Sequence, residues 1–146
     1  MNIKGFCKDF VITYTLFCFF GVPVLNRIAI NVSPKKYKEQ LEVVLSSEKK
    51  KWNIEDKIIE ISFNDSIRNS GSGKIKDNNY LIRLARGQRN ERLLKHEVSH
   101  IAKGHCDRYY LDVKANKIYN LGIRFLDYNF VMEPAATIYS LTGLKL

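Results

Sequence analysis

From Phe10 to Leu25 the chain reads FVITYTLFCFFGVPVL, about 16 positions without a charge and just short of the roughly 20 that a membrane span needs. Gly21 and Pro23 do not forbid a span, because membrane helices tolerate both. Lys4 and Lys8 precede the stretch, diluted by Asp9, and no small-residue cleavage site follows, which argues against a removable signal. An uncleaved anchor is favoured over an apolar segment packed on the domain. Arg27, Lys35 and Lys36 lie beyond it, so the flanking charges do not orient it.

Downstream the pattern changes. Ser33-Pro34 is a helix opening, with proline at the first helical position. Tyr37, Leu41, Val44, Leu45 and Trp52 then predict a helix to about Lys51. Lys57 to Phe63 (KIIEISF) and Tyr80 to Ala85 (YLIRLA) predict strands. Between them, Ser70-Gly71-Ser72-Gly73 predicts a flexible turn, without the spacing of a phosphate loop. Leu93, Leu94, Val98, Ile101 and Ala102 form the stripe of an amphipathic helix, with Asn90 as its cap and Gly104 as its stop. A mixed, turn-rich stretch is expected from Asp107 to Asp127. A last helix ends near Gly143, with Pro134 near its start. The order of elements is an α+β plan. Residues 1–33 form an apolar N-terminal segment and residues 34–146 one domain.

Charge and cysteines change this picture little. The 146 residues carry 24 Lys and Arg against 15 Asp and Glu, a net charge of +9. Such an excess attracts nucleic acid or anionic lipid, but a solvated basic surface is the plainer reading. Cys7, Cys18 and Cys106 are odd in number and far apart, so they build neither a disulfide framework nor a C-x-x-C metal site.

The chemistry is concentrated in His96-Glu97-Val98-Ser99-His100, an H-E-x-x-H motif. Residues four apart share a helix face about 5–6 Å from each other, so two imidazoles can grip one metal ion. Glu97 beside them reaches the water that the ion activates. The chain has only three histidines, and His96, His100 and His105 all fall within one short segment. A catalytic zinc needs a third protein ligand and keeps its fourth position open. His105 lies five residues after His100, where a metzincin would place its third histidine at six. Asp107 is a weaker candidate. Glu133, on a second helix with small Ala135 and Ala136 to permit close approach, is the preferred ligand, and the alternative for it is a solvent-facing glutamate at a helix start.

The segment HEVSHIAKGH from His96 to His105, together with Glu133-x-x-Ala136, resembles the ImmA/IrrE-type zinc metallopeptidases among the minimal gluzincins. The resemblance covers about residues 55–146. It implies a zincin-like fold, a small mixed or antiparallel sheet with the H-E-x-x-H helix and a C-terminal glutamate helix. It also implies one zinc per chain and a strand antiparallel to the bound peptide just before the motif helix, a place that Tyr80 to Ala85 fits.

The expected function is hydrolysis of peptide bonds in a protein substrate, such as a regulator. His96, His100 and Glu133 hold the metal, and Glu97 takes the water's proton and returns it to the leaving amine. His105, Tyr109, Tyr110 and Tyr128 are candidates for the donor that stabilises the oxyanion. A basic nucleic-acid-associated protein is the competing class, and its binding would weaken steeply with salt. A third reading is a structural zinc site with four protein ligands, which would recruit His105 or Cys106. Localisation at a membrane through residues 10–25 is slightly favoured over the cytoplasm.

Overall fold

The computed structural model describes residues 3–114 and 128–145. A helical N-terminus comprises α1 (Ile3–Leu16), a π-helical turn (Phe17–Gly21) and α2 (Val22–Val32). Next come α3 (Lys38–Trp52) and three strands, β1 (Ile58–Asn64), β2 (Gly71–Lys76) and β3 (Asn79–Ala85). The motif helix α4 (Glu91–Ala102) and α5 (His105–Lys114) follow. A second π-helical turn (Tyr128–Met132) leads into α6 (Glu133–Thr142). The protein is therefore mixed α+β with a small mixed sheet.

Two expectations at element boundaries are corrected. Ser33-Pro34 ends a helix and does not begin one. A residue before proline is pushed out of the helical region, and Ser33 is extended (φ −80°, ψ 133°), with its hydroxyl turned back to the Ala29 carbonyl at 2.6 Å. Lys35 then bridges to Asn90, and α3 starts only at Lys38. The stretch Ser70–Gly73 is not a turn but leads into and forms the first half of β2. Alternation aims Ser72 and Lys74 at the helices, while a Cβ at Gly71 or Gly73 would meet nothing within 4 Å. The reversal lies at Asp77, which takes a positive φ of 46° between β2 and β3.

The strand order is β1-β3-β2, with β1 parallel and β2 antiparallel to β3. Tyr80 to Ala85 is thus the centre of the sheet, hydrogen-bonded on both sides. It has no free edge for a peptide, which corrects the role expected for it. Ile61, Tyr80, Ile82 and Leu84 point to one face, where Leu41 and Leu45 of α3 and Leu93, Leu94, Val98 and Ile101 of α4 complete the core. Gly104 (φ 73°) closes the motif helix as expected, and Asn90 caps its start, its Oδ1 accepting from the Leu93 N–H at 2.9 Å. Residues 107–114, where a turn-rich stretch was expected, are helical and belong to α5. The rest of that stretch, 115–127, lies outside the described residues.

Both π turns stand immediately before a proline at the second position of the next helix, Pro23 and Pro134. Proline removes one helical hydrogen bond and crowds the carbonyl four residues back. A widened turn relieves that crowding and lets the helix continue. The second of these turns sets the direction in which Glu133 leaves the backbone.

Helix α6 is held to α3 by a buried pair, Tyr139 Oη donating to Glu48, and by Trp52 packed edge-on against the Tyr139 ring at 4.7 Å. Burial, and then the Glu48 carboxylate, push the Tyr139 phenol well above its ordinary pKa. Removing one member leaves a buried carboxylate without its donor. Tyr139→Phe is expected to cost about 1–3 kcal/mol. In urea unfolding this is a lower midpoint with an unchanged slope.

Candidate metal centre

The motif helix is buried on nearly all sides. Its apolar stripe faces the sheet, and His96, Glu97, Ser99 and His100 on its other side are buried too. Burying four polar side chains is costly unless each is partnered; Ser99 Oγ donates to the His96 carbonyl of its own helix at 2.7 Å, and the partners of the other three come from β2, α5 and α6.

Ala136, fully buried, lets α6 lie close against α4 and brings Glu133 over the two histidines. His96 Nε2 lies 3.4 Å from Glu133 Oε2, His100 Nε2 lies 3.3 Å from Glu133 Oε1, and the two Nε2 atoms are 3.2 Å apart. One ligand atom from each of the three residues lies within 4.8 Å of the others, so the cluster could hold a metal ion. The spacings fit zinc. Four ligands at about 2.0–2.1 Å around a tetrahedral ion stand roughly 3.3–3.4 Å from one another. Two imidazole nitrogens and a carboxylate oxygen are the donor types of a catalytic zinc site with an open fourth position.

His105 is not in the cluster. Its Nδ1 lies 2.8 Å from Nδ1 of His100, on the far side of that ring from the ligand atom. It orients a ligand, as the second nitrogen of a metal-bound histidine commonly requires. The alternative in which His105 is the third ligand therefore fails on geometry, and the preferred Glu133 is the residue that meets both Nε2 atoms. Gly104 turns the chain away, and α5 carries the ring behind His100. Asp107 is also drawn elsewhere, accepting from Lys74 Nζ at 2.6 Å and Tyr80 Oη at 2.7 Å. Cys106 is buried beside Ser72, its Sγ 3.6 Å from the hydroxyl, and burial pushes its thiol up to about 11. Among the described residues, no set of four protein ligands including Cys106 is assembled.

Glu97 is buried next to the cluster, and its Oε2 accepts a 2.7 Å hydrogen bond from Ser72 Oγ on β2. Ser72 had no sequence signal, because only the pairing of β2 with β3 brings it to the motif helix. Of the tyrosines considered, Tyr128 stacks on His100 with centroids 6.3 Å apart and is hydrogen-bonded to Glu133. Partial burial and that carboxylate push its phenol far above the ordinary value. Tyr110 lies instead beside Lys74. The side chain of Tyr109 lies outside the described residues.

The electrostatics of the cluster favour a charge pair between His96 and Glu133. Burial opposes a charged His96 ring, but the hydrogen bond and charge of Glu133 outweigh it, so the pKa is raised. For Glu133, burial works upward, yet hydrogen bonds from His100 and His96 hold the carboxyl well below its usual range. The raised histidine stabilises the metal-free fold below the unfolded value of about 6.5, and this contribution is lost as pH rises through the folded value. The depressed carboxyl contributes above about 4.3 and loses its share as pH falls through its folded value. A metal demands neutral imidazoles. Zinc affinity is therefore expected to rise with pH up to the raised pKa of His96, above about 6.5, and to level off beyond it, with proton release below that point that calorimetry in buffers of different ionisation enthalpy would measure.

Compared with family models, curated proteins and solved structures, the chain matches none.

Proposed function

We propose that the protein is a zinc-dependent metallopeptidase of the minimal gluzincin type. The observation that carries the reading is the convergence of His96, His100 and Glu133 within ligand-sharing distance, with Glu97 buried alongside. The resemblance of HEVSHIAKGH and Glu133-x-x-Ala136 to that family supports it from the sequence.

His96 and His100 would hold zinc through Nε2 and Glu133 through its carboxylate. A bound zinc supplies Lewis acidity, polarising the peptide carbonyl and making water a nucleophile near neutral pH. Glu97, steered by Ser72, accepts the proton of the attacking water and passes it to the leaving amine. Tyr128, protonated across the working pH range, is the donor placed to stabilise the oxyanion. The substrate lies extended along β2, which flanks the motif helix and pairs with β3 on one side only. This assigns to β2 the role first expected of Tyr80 to Ala85. The nucleic-acid reading rests on the net charge of +9 alone.

The test is cleavage of a mixed peptide library by the full chain loaded with zinc, with and without chelator, read by mass spectrometry. Chelator-sensitive cleavage supports the assignment, and a zinc-loaded chain that cleaves nothing overturns it. Tyr128→Phe is expected to keep zinc and lose about 10²-fold or more in kcat, as removal of an oxyanion donor does. An unchanged kcat would pass that role to another group.

A further inference from the structure

The N-terminal helix has two unlike faces. Cys18, Val22 and Ala29 are buried against the domain. Asn90 Nδ2 donates to the Ile30 carbonyl at 3.2 Å, Tyr14 Oη to the Phe130 carbonyl at 2.6 Å, and Phe19 meets the Phe130 ring edge-on at 5.1 Å. The other face is apolar and open to solvent, with Phe10 61%, Phe20 67%, Val24 55% and Ile28 54% exposed. From Phe10 to Ile30 the helix has 21 residues, mean hydropathy 1.5, and only 11% of its apolar window buried. At 1.5 Å per residue it is about 30 Å long, and because the domain packs along one face from Tyr14 to Ile30, the open face can enter a bilayer only with the helix lying in its surface.

One plainer explanation fails on these observations: a core helix of a soluble domain is mostly buried, and this one is not. The helix is nevertheless docked, since α2 packs on α4 and α6 and Tyr14 and Phe19 meet Phe130. An open apolar face of this length marks a contact surface, and the charge of +9 suits anionic headgroups.

The contact with Phe130 gives this face a functional consequence. Phe130 belongs to the π turn Tyr128–Met132, whose Tyr128 stacks on His100 and which runs directly into Glu133. The helix and the metal cluster thus share one five-residue turn. We infer that the open face of the N-terminal helix is embedded in a lipid bilayer, and that the helix thereby holds the His96, His100 and Glu133 site at the membrane, where its substrate is a peptide segment presented by that membrane. The substrate half of this inference rests on the peptidase reading, and the bilayer half does not.

The experiment uses the full chain, purified in detergent and mixed with vesicles of phosphatidylcholine and phosphatidylglycerol. Wild type is expected to float with the vesicles in high salt. Phe20→Glu with Val24→Glu is expected to stay in the soluble fraction while keeping about one zinc per chain. A wild-type chain that stays soluble, as monomer or oligomer, overturns the bilayer surface, and so does a chain isolated from cells without residues 10–25. Zinc-loaded wild type is then given one peptide sequence in two forms, free and lipid-tethered to the vesicles. Preference for the tethered form by about 10²-fold, through effective concentration, supports the substrate class. Equal rates overturn the substrate class and leave the peptidase intact. Cleavage of neither form overturns the peptidase reading while the flotation result stands.

Discussion

Glu97→Gln is expected to retain zinc and to lose peptide cleavage by about 10²–10⁴-fold, the usual contribution of a general base. Glu97 is not among the three residues whose ligand atoms converge, so metal content does not depend on its charge. The amide has the same shape and can still accept the hydrogen bond from Ser72 Oγ, so the buried pocket keeps its partner. Only proton acceptance is removed. The measurement is cleavage rate beside zinc content on the same preparation. Cleavage at the wild-type rate would remove Glu97 from the reaction and the peptidase assignment with it.

Glu133→Ala is expected to abolish stoichiometric zinc binding, whereas His105→Ala retains it with affinity lowered by about 10–100-fold, the range for groups that orient a metal ligand. The difference follows from where each side chain stands. Glu133 faces both Nε2 atoms, and His105 meets only Nδ1 of His100. Removal of Glu133 also leaves His96 and His100 without the carboxylate that faces both rings. Competition with a chromogenic chelator, with circular dichroism to establish folding, reads both variants. Retention of zinc by Glu133→Ala and its loss in His105→Ala would move the third ligand to His105.

Much of the site was legible because its chemistry is local. His96, Glu97 and His100 lie on consecutive turns of one helix, and Asn90 and Gly104 bound that helix through their own backbone preferences. Glu133 was legible by elimination and by the small residues after it, Ala135 and the fully buried Ala136. The misread segments share a cause. Ser70–Gly73 has turn composition, yet pairing with β3 makes it a strand, since nothing on its open face needs side chains. Ser33-Pro34 has the composition of a helix start, yet it follows a helix that runs past the apolar stretch as far as Val32.

The sequence by itself determined the two histidines that share one helix face, the glutamate beside them, the α+β order of elements and an uncharged apolar stretch near the N-terminus. Each of these is set by spacing along one element or by the conformational limits of a single residue. Tertiary structure decided that Ser72 steers Glu97, that His105 stands behind His100, that β2 is an edge strand and β3 the central one among the described residues, and that one turn joins the apolar helix to Glu133. Those relations span elements distant in the chain, and they exist only once β2 pairs with β3 and α6 packs on α4, because no local preference encodes which side chains such packing brings together.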